Sequence, residues 1–234
     1  SIHGTAEWDA CNVNIEAGCE HNCRYCYAKA MAVRFKRATA TSWSIPVPRE
    51  ILPKAKKCEG TVMFPSSHDI TPRNLDACAI VLKALLAAGN QVLIVSKPHI
   101  ECIGCLCCEL KPFRSQAMLR FTIGATDDSV LSYWEPGAPK FQERLAALEL
   151  AHRQGYRTSV SCEPLLDGQV EALIDKVSPH VTDTIWLGRA NPLRQTLSLN
   201  CPNELQVMYA GQHLVDLWSD EAVKKLYKAV SKNP

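Results

Sequence analysis

The sequence predicts an α/β fold: a partial (β/α)6 barrel of TIM type, with parallel strands and one open side. Six short segments of strand character alternate with segments of helical spacing, which is the pattern of parallel βαβ units with right-handed crossovers. Polar residues follow these strand segments, as they do at the carboxyl rim of α/β barrels. Six units do not complete an eight-stranded barrel, so we expect an open one.

The predicted strands are short and mostly rich in apolar and β-branched residues. They cover residues 12–16, 61–64, 91–95, 118–123, 158–162 and 184–187. The predicted helices carry apolar residues at three- and four-residue spacing. They cover residues 27–37, 75–88, 100–110, 140–154, 169–177 and 220–230. Gly89 and Gly155 end two of these helices, and residues 38–53 are the expected long surface connection.

Composition predicts one domain, residues 1–234, because 47% apolar residues in 234 supply one sizeable core. The net charge of +2 indicates no strong preference for a polyanion. No apolar run approaches 18 residues, so we expect no membrane span. The 12 cysteines come without a secretory signal, which favours a reducing, cytoplasmic setting where thiols serve metals or chemistry.

Three thiols crowd one short loop, Cys19-Glu-His-Asn-Cys23-Arg-Tyr25-Cys26. Neighbouring thiols on a tight loop rarely reach disulfide geometry, but they suit a soft metal centre. Three ligands leave one coordination position open, whereas a structural zinc site generally takes four. An iron–sulfur cluster, part of a zinc site and incidental buried cysteines all stay open at this point.

The spacing of these thiols, with an aromatic residue before the last one, resembles the radical S-adenosylmethionine (SAM) superfamily. The resemblance implies that Cys19, Cys23 and Cys26 hold a [4Fe-4S] cluster whose open iron binds SAM. It also implies a one-electron donor such as flavodoxin or ferredoxin. Within the superfamily, residues 23–28 and the Ser96-Lys97-Pro98 segment resemble the spore photoproduct lyase and "DNA repair photolyase" branch.

Candidate SAM-binding residues follow the predicted strands. The loop after the second strand occupies the place where the family contacts the SAM amino group, although ordinary turn chemistry also explains it. The resemblance pairs Lys97 with the SAM carboxylate; a rim lysine with its head in water is the alternative. Asp127 either binds the ribose or caps a helix. The predicted SAM-binding residues are Tyr25, Ser66, Ser67, Asp69, Ser96, Lys97, Asp127 and Glu163.

Two residues are candidates for catalysis. Tyr27, with Tyr25, matches a tyrosine pair near the radical path of the lyase, although aromatic packing explains both equally well. Ser66 stands where the lyase has the cysteine that donates a hydrogen atom, and a hydroxyl cannot replace a thiol in that step. We therefore do not predict repair of thymine spore lesions. Cys162 ends the fifth strand and is a hypothetical replacement donor, with a buried core cysteine as the alternative.

A second group of thiols, Cys102, Cys105, Cys107 and Cys108, lies within seven residues. Four thiols so close in sequence suggest a second metal site. The same segment has helical spacing, and on a helix these thiols would diverge and act as small apolar side chains. The sequence leaves both interpretations open.

The predicted function is that of a radical SAM enzyme. The resemblance implies reductive cleavage of SAM to a 5′-deoxyadenosyl radical, which abstracts a hydrogen atom from an unidentified substrate, nucleic acid included. The alternative is a non-catalytic protein that transfers electrons through an iron–sulfur cluster or binds zinc.

Overall fold

The computed structural model of the chain describes residues 10–49 and 55–230. Its strands, in chain order, are β1 (Cys11–Asn12), β2 (Glu16–Ala17), β3 (Val47–Pro48), β4 (Thr61–Phe64), β5 (Gln91–Ser96), β6 (Ala117–Thr122), β7 (Arg157–Cys162) and β8 (Ile185–Leu187). Six of them form one parallel sheet in the order β1-β4-β5-β6-β7-β8. The order follows the chain and β1 does not pair with β8, so the predicted open α/β barrel is confirmed.

Helices connect these strands and cover the sheet. In chain order they are α1 (Tyr27–Arg34), α2 (Leu75–Ala87), α3 (Ile100–Glu109), α4 (Asp128–Trp134), α5 (Phe141–Arg153), α6 (Val170–Val177), α7 (Leu193–Asn200), α8 (Leu205–Leu217) and α9 (Asp220–Val230). Within the described ranges, no helix is both long and apolar enough to cross a membrane.

The two faces of the sheet differ in polarity because side chains alternate along each strand. Phe121 of β6 pairs with Val160 of β7, and both belong to the apolar core shared with α2, α3 and α5. The opposite face carries polar groups: Arg120 of β6 pairs with Ser159 of β7, and its Nε donates to the Ser159 hydroxyl at 3.0 Å. The core therefore lies between sheet and helices, and the polar face lines the barrel interior.

Helices α1 and α7 pack against each other. Asn200, the last residue of α7, is buried, and its amide donates to the carbonyls of Arg24 and Cys26 at 2.8 Å each. These hydrogen bonds connect helix α7, which follows the last strand of the sheet, to the thiol loop, which follows the first.

The predicted first strand, residues 12–16, is two strands in the structure. Ile15 is buried, and its backbone N–H donates to His68 Nε2 at 3.1 Å, so the chain has left the sheet by Ile15. β2 then pairs antiparallel with β3 inside the predicted surface connection, whose residues 50–53 lie outside the described part. The sequence did not predict α4, α7 or α8.

Gly18 sets the position of the thiol loop. Its φ is +108°, and a Cβ there would lie 2.7 Å from the Trp43 carbonyl oxygen and 2.9 Å from Pro46 Cα. That same carbonyl accepts a hydrogen bond from the Cys19 N–H at 3.0 Å. Both the backbone conformation and the close approach require a residue without a side chain.

We expect Gly18→Ala to lower the free energy of unfolding by about 1–3 kcal/mol, because alanine is strained at this φ and its Cβ meets backbone atoms. Urea unfolding of the two proteins measures the difference. Gly168→Ala is the matched control, because the nearest atom to its Cβ would be Leu217 Cδ1 at 3.8 Å. Equal stability of the Gly18 variant and wild type would contradict this account.

Candidate functional site

The three loop thiols lie beyond the carboxyl end of β1, where the sequence placed them. Cys19 and Cys23 are buried and Cys26 is half-buried. Two tight turns shape the loop: the Asn22 N–H donates to the Cys19 carbonyl and the Cys26 N–H to the Cys23 carbonyl, each at 3.2 Å. The Cys26 sulfur also caps α1 by accepting from the Lys29 N–H at 3.4 Å.

The segment after α4 supports the loop from the other side. The Arg24 N–H donates to the Trp134 carbonyl at 2.9 Å, and the Gly137 N–H donates to the His21 carbonyl at 3.0 Å. A Cβ on Gly137 would lie 2.3 Å from the Glu20 carbonyl oxygen, so only glycine permits this contact. The loop is held by backbone contacts from two distant parts of the chain.

Asp69 binds the loop to the strand ends with both carboxylate oxygens. Oδ2 contacts His21 Nδ1 at 3.0 Å, Lys97 Nζ at 3.6 Å and Cys19 Sγ at 3.9 Å. Oδ1 accepts from the Lys97 N–H at 2.7 Å and from the Ser96 hydroxyl at 3.1 Å. Burial alone would raise the pKa of Asp69, but Lys97 and His21 outweigh it and hold that pKa well below its usual value.

Lys97 brings a buried positive charge to the thiols. Its side chain is 12% exposed, and its ammonium lies 5.9 Å from the centre of the Tyr25 ring. Burial would lower the pKa of Lys97, but the neighbouring Asp69 and Cys23 raise it well above the usual value. The ammonium is therefore charged at neutral pH, beside groups that become anionic when they bind a metal.

The Tyr25 ring is fixed by a buried chain of polar groups. The Tyr25 hydroxyl donates to Glu135, which forms an ion pair with Arg144, and neither charged side chain is exposed. Arg144 Nε also donates to the Pro139 carbonyl at 2.7 Å, and its NH1 donates to the Thr122 carbonyl at 3.2 Å. This chain connects the thiol loop to the end of β6.

Sequence reasoning missed the Glu135–Arg144 pair and Asn14. Arg144 left a signal, because it falls among the buried apolar positions of α5, where a charge needs a partner. Asn14 had no such signal. Its side-chain oxygen accepts from the N–H groups of Ser66 and Ser67 at 2.8 Å each, and its amide donates to the Ser66 hydroxyl at 2.8 Å.

Several predicted SAM-binding residues, with the predicted catalytic residue Tyr27, fall into two groups. Asp69 and Ser96 are buried and hydrogen-bonded to each other, so they support the site and are not part of its exposed surface. Tyr27 is 54% exposed, and its hydroxyl donates to the Ser66 carbonyl, so Tyr27 and the Ser66-Ser67 turn lie together beside the thiol loop. Lys97 contacts the first group through Asp69 and also lies beside the Tyr25 ring.

Asp127 and Glu163 follow β6 and β7, as predicted. Asp127 is exposed and caps α4, accepting from the Ser129 N–H at 2.7 Å and hydroxyl at 2.6 Å. Glu163 Oε2 accepts from the Ser161 hydroxyl at 3.3 Å, and a Cβ on Gly188 would lie 2.4 Å from Glu163 Oε1. The structure thus shows the helix-cap alternative for Asp127, and it places the Glu163 carboxylate against the end of β8.

Cys162 lies in the core and not at the barrel mouth. It is fully buried among apolar side chains, on the face of β7 opposite Ser161, and burial raises its thiol pKa to about 12. The placement agrees with the core-cysteine alternative and gives no support to Cys162 as a hydrogen donor.

The structure does not support the predicted second metal site at the thiols of residues 102–108. Residues 100–109 form the continuous helix α3, so its thiols point in different directions. Cys102 and Cys107 are buried in the core, Cys105 donates to Glu109 Oε1 at 3.3 Å within the helix, and Cys108 is exposed. The described residues do not bring these four thiols together at one metal.

The three loop sulfurs are not placed around a single ion. Among the described residues, Cys19, His21 and Asp69 have ligand atoms within 4.8 Å of one another, whereas the three loop sulfurs do not form such a group. Sulfurs around one tetrahedral zinc lie about 3.8 Å apart, given a Zn–S bond of about 2.3 Å. Burial raises the pKa of all three thiols, so a bound metal must displace their protons.

No protein-family model matches the chain. A curated relative, Uncharacterized protein ORF301 of Acidianus two-tailed virus, is 26% identical over 171 residues. The match covers 67% of this chain and 56% of the viral protein, so the chain spans just over half of that relative's length.

Solved structures of spore photoproduct lyase share the fold. One, complexed with dinucleoside spore photoproduct, has a TM-score of 0.60 at 13% identity and covers 89% of this chain and 74% of the lyase. A double mutant with bound AdoMet and dinucleoside spore photoproduct has a TM-score of 0.57 at 13% identity, covering 88% and 73%. The fold implied by the sequence resemblance is therefore confirmed.

We expect Asp69→Asn to lower the free energy of unfolding by about 3 kcal/mol at pH 7, because it leaves the buried Lys97 charge without its partner. Asp69 has a lowered pKa in the folded state, so its contribution is complete above the unfolded pKa of about 4 and disappears as the pH falls through the folded value.

Urea unfolding of both proteins from pH 7 to pH 2 measures this dependence. Asp127→Asn is the control, because asparagine caps a helix as well as aspartate does. A stability difference between wild type and the Asp69 variant that stays constant into acid would contradict the role given to the ionised carboxylate.

Proposed function

We propose that this protein is a radical SAM enzyme. One observation supports the proposal above the others: three thiols of the spacing seen in that superfamily lie at the carboxyl rim of an open parallel barrel that matches spore photoproduct lyase. Cys19, Cys23 and Cys26 would hold a [4Fe-4S] cluster, which when bound supplies an open iron for SAM and the electron that cleaves it to a 5′-deoxyadenosyl radical.

The chain's own residues have three tasks around that centre. Lys97 offers its ammonium to the SAM carboxylate, and Asp69 keeps this lysine charged and in place. Tyr25 closes the space beside Lys97 with a ring that Glu135 holds fixed. Tyr27 and the turn at Ser66 and Ser67 form the adjoining wall, where the proposal places the rest of the SAM molecule.

The surroundings of the thiols keep water away from a reactive site. Cys19 and Cys23 are buried, and Tyr25 and Cys26 are at most half-exposed. A radical formed in such a space meets the substrate before it meets solvent. The substrate itself is an unidentified compound with an abstractable hydrogen. A dinucleotide is the first compound to test, because the solved neighbours bind dinucleoside spore photoproduct.

A zinc protein is the second candidate, favoured by the close Cys19, His21 and Asp69 group. Two observations count against it: the Lys97 ammonium lies 3.6 Å from the same Asp69 oxygen and repels a divalent cation, and Cys23 and Cys26 would have no role.

The use of thiols for a metal also fits a reducing compartment, which we propose to be the cytoplasm.

We expect the protein, reconstituted anaerobically with iron and sulfide and reduced with dithionite, to convert SAM to 5′-deoxyadenosine. Cys26→Ala is expected to abolish the product, whereas Cys108→Ala, which removes an exposed thiol outside the loop, is expected to retain it. Mass spectrometry measures the product, and metal analysis distinguishes about four irons from one zinc. An intact, reduced cluster that leaves SAM uncleaved would exclude a radical SAM enzyme.

We expect Lys97→Met to weaken SAM binding at least about tenfold, because a hydrogen bond to a charged group contributes about 1.5–3 kcal/mol. Equilibrium dialysis of the cluster-loaded variant measures the dissociation constant. Lys83→Met is the control, because Lys83 pairs with Glu109 on the outer helices. An unchanged dissociation constant in a folded, cluster-containing Lys97 variant would assign the SAM carboxylate to another residue.

A further inference from the structure

The cations of this chain are unevenly distributed. Residues 21–49 contain six, Arg24, Lys29, Arg34, Lys36, Arg37 and Arg49, and no Asp or Glu. The whole chain has 26 Lys and Arg against 24 Asp and Glu, so the remainder carries 20 cations and 24 acids. The near-neutral total therefore conceals a basic segment on a mildly acidic protein, and that segment begins inside the thiol loop.

The structure distinguishes cations that support the fold from those that face solvent. Arg24 forms an ion pair with Glu204 at 2.7 Å, and Lys29 is buried with its ammonium 2.9 Å from the Asn22 side-chain oxygen. Arg49 is exposed after β3, and Arg34, Lys36 and Arg37 are exposed together at the end of α1. The three at the end of α1 form the group of positive charges that a partner would meet.

An apolar centre accompanies these charges. Met31 and Phe35 are 42% and 57% exposed and lie four residues apart, on one face of α1. The guanidinium carbons of Arg34 and Arg37 lie 5.8 and 5.7 Å from the centre of the Phe35 ring. We call this surface, Met31, Arg34, Phe35, Lys36 and Arg37, the α1 ridge. It combines methionine, aromatic and arginine side chains, which are enriched in protein interfaces.

The α1 ridge leads directly to the proposed cluster. α1 starts immediately after Cys26, whose sulfur accepts a hydrogen bond from the Lys29 N–H in its first turn. The helix has eight residues, so at about 1.5 Å per residue it is about 12 Å long. A protein seated on the α1 ridge would thus lie within about that distance of a cluster ligand.

We infer that the α1 ridge docks an acidic one-electron carrier of the flavodoxin or ferredoxin type. This inference rests on the proposed function and assigns a partner to the same site. The reduced carrier gives up one electron and the cluster gains one, with no bond formed or broken. Acidic groups around the carrier's cofactor would pair with Arg34, Lys36 and Arg37, while Met31 and Phe35 pack at the centre.

A single-stranded nucleic acid is the competing occupant of a basic, aromatic surface. Phe35 is the single aromatic side chain of the α1 ridge, whereas surfaces that bind single strands stack successive bases on several aromatic side chains. Met31 likewise offers an apolar contact and no stacking surface. The arrangement therefore favours carboxylates and an apolar patch over bases and phosphates.

The test uses the reconstituted protein, a purified flavodoxin and a purified ferredoxin as probes. We expect at least one carrier to bind, with affinity that falls as salt rises. The double variant Arg34→Glu/Arg37→Glu is expected to raise its dissociation constant at least tenfold. The double variant Lys224→Glu/Lys225→Glu on exposed α9 makes the same change in net charge and is expected to alter it less than about twofold, since distant surface charges are screened.

Binding and turnover are measured separately, so that two failures remain distinguishable. With dithionite as reductant, all variants should form 5′-deoxyadenosine at the wild-type rate; with the carrier, only the α1 ridge variant should slow. Absence of product with dithionite would contradict the proposed function. Normal dithionite activity with no carrier binding, equal effects of both double variants, or displacement of the carrier by a single-stranded oligonucleotide would each overturn the docking inference.

Discussion

The candidate site depends on one carboxylate. Asp69 follows β4, yet its two oxygens reach the thiol loop after β1 and the Ser96-Lys97 pair at the end of β5. Three neighbouring strands thus meet at one buried side chain. Because parallel strands end at the same edge of a sheet, one side chain there can reach the loops that follow several of them. The position of Lys97 beside the thiols follows from this arrangement.

Charge balance explains why so many ionised groups are buried around the thiol loop. Asp69 with Lys97 and Glu135 with Arg144 each place opposite charges next to the loop. Buried ion pairs contribute little net stability compared with apolar packing of the same volume. Here they fix the positions of side chains: Asp69 holds Lys97, and Glu135 holds the Tyr25 ring.

The sequence predicted the alternation of strands and helices and the thiol loop at the sheet's carboxyl edge, because both are local patterns. The strand at residues 61–64 and the helix at residues 220–230 match the structure at both ends. The predicted first strand was wrong because the Ile15 N–H donates to the His68 side chain and not to a neighbouring strand. Such a choice depends on His68, far along the chain.

The site was less predictable than the fold. Asp69 and Lys97 were identified from their positions after strands, but their contact with each other was not, since it depends on how two loops meet. Asn14 and Asn200 carry no chemical signature, and only tertiary structure shows that they hold backbone groups of the site. The four thiols of α3 show the opposite error, because they suggested a site that the structure does not form. They are close in sequence, but the helix directs their side chains to different sides.

The bond from Asn200 to the carbonyls of Arg24 and Cys26 has a consequence for how the protein is made. Asn200 lies 176 positions after Arg24 and 174 after Cys26. The thiol loop is synthesised early, but these two hydrogen bonds can form only after Asn200 has been synthesised. At a synthesis rate of about 5–20 residues per second, that delay is roughly 10–35 seconds. During this interval the thiols lack part of their final support. The metal proposed for this loop is therefore expected to bind after translation, on a chain whose last strand has already been placed.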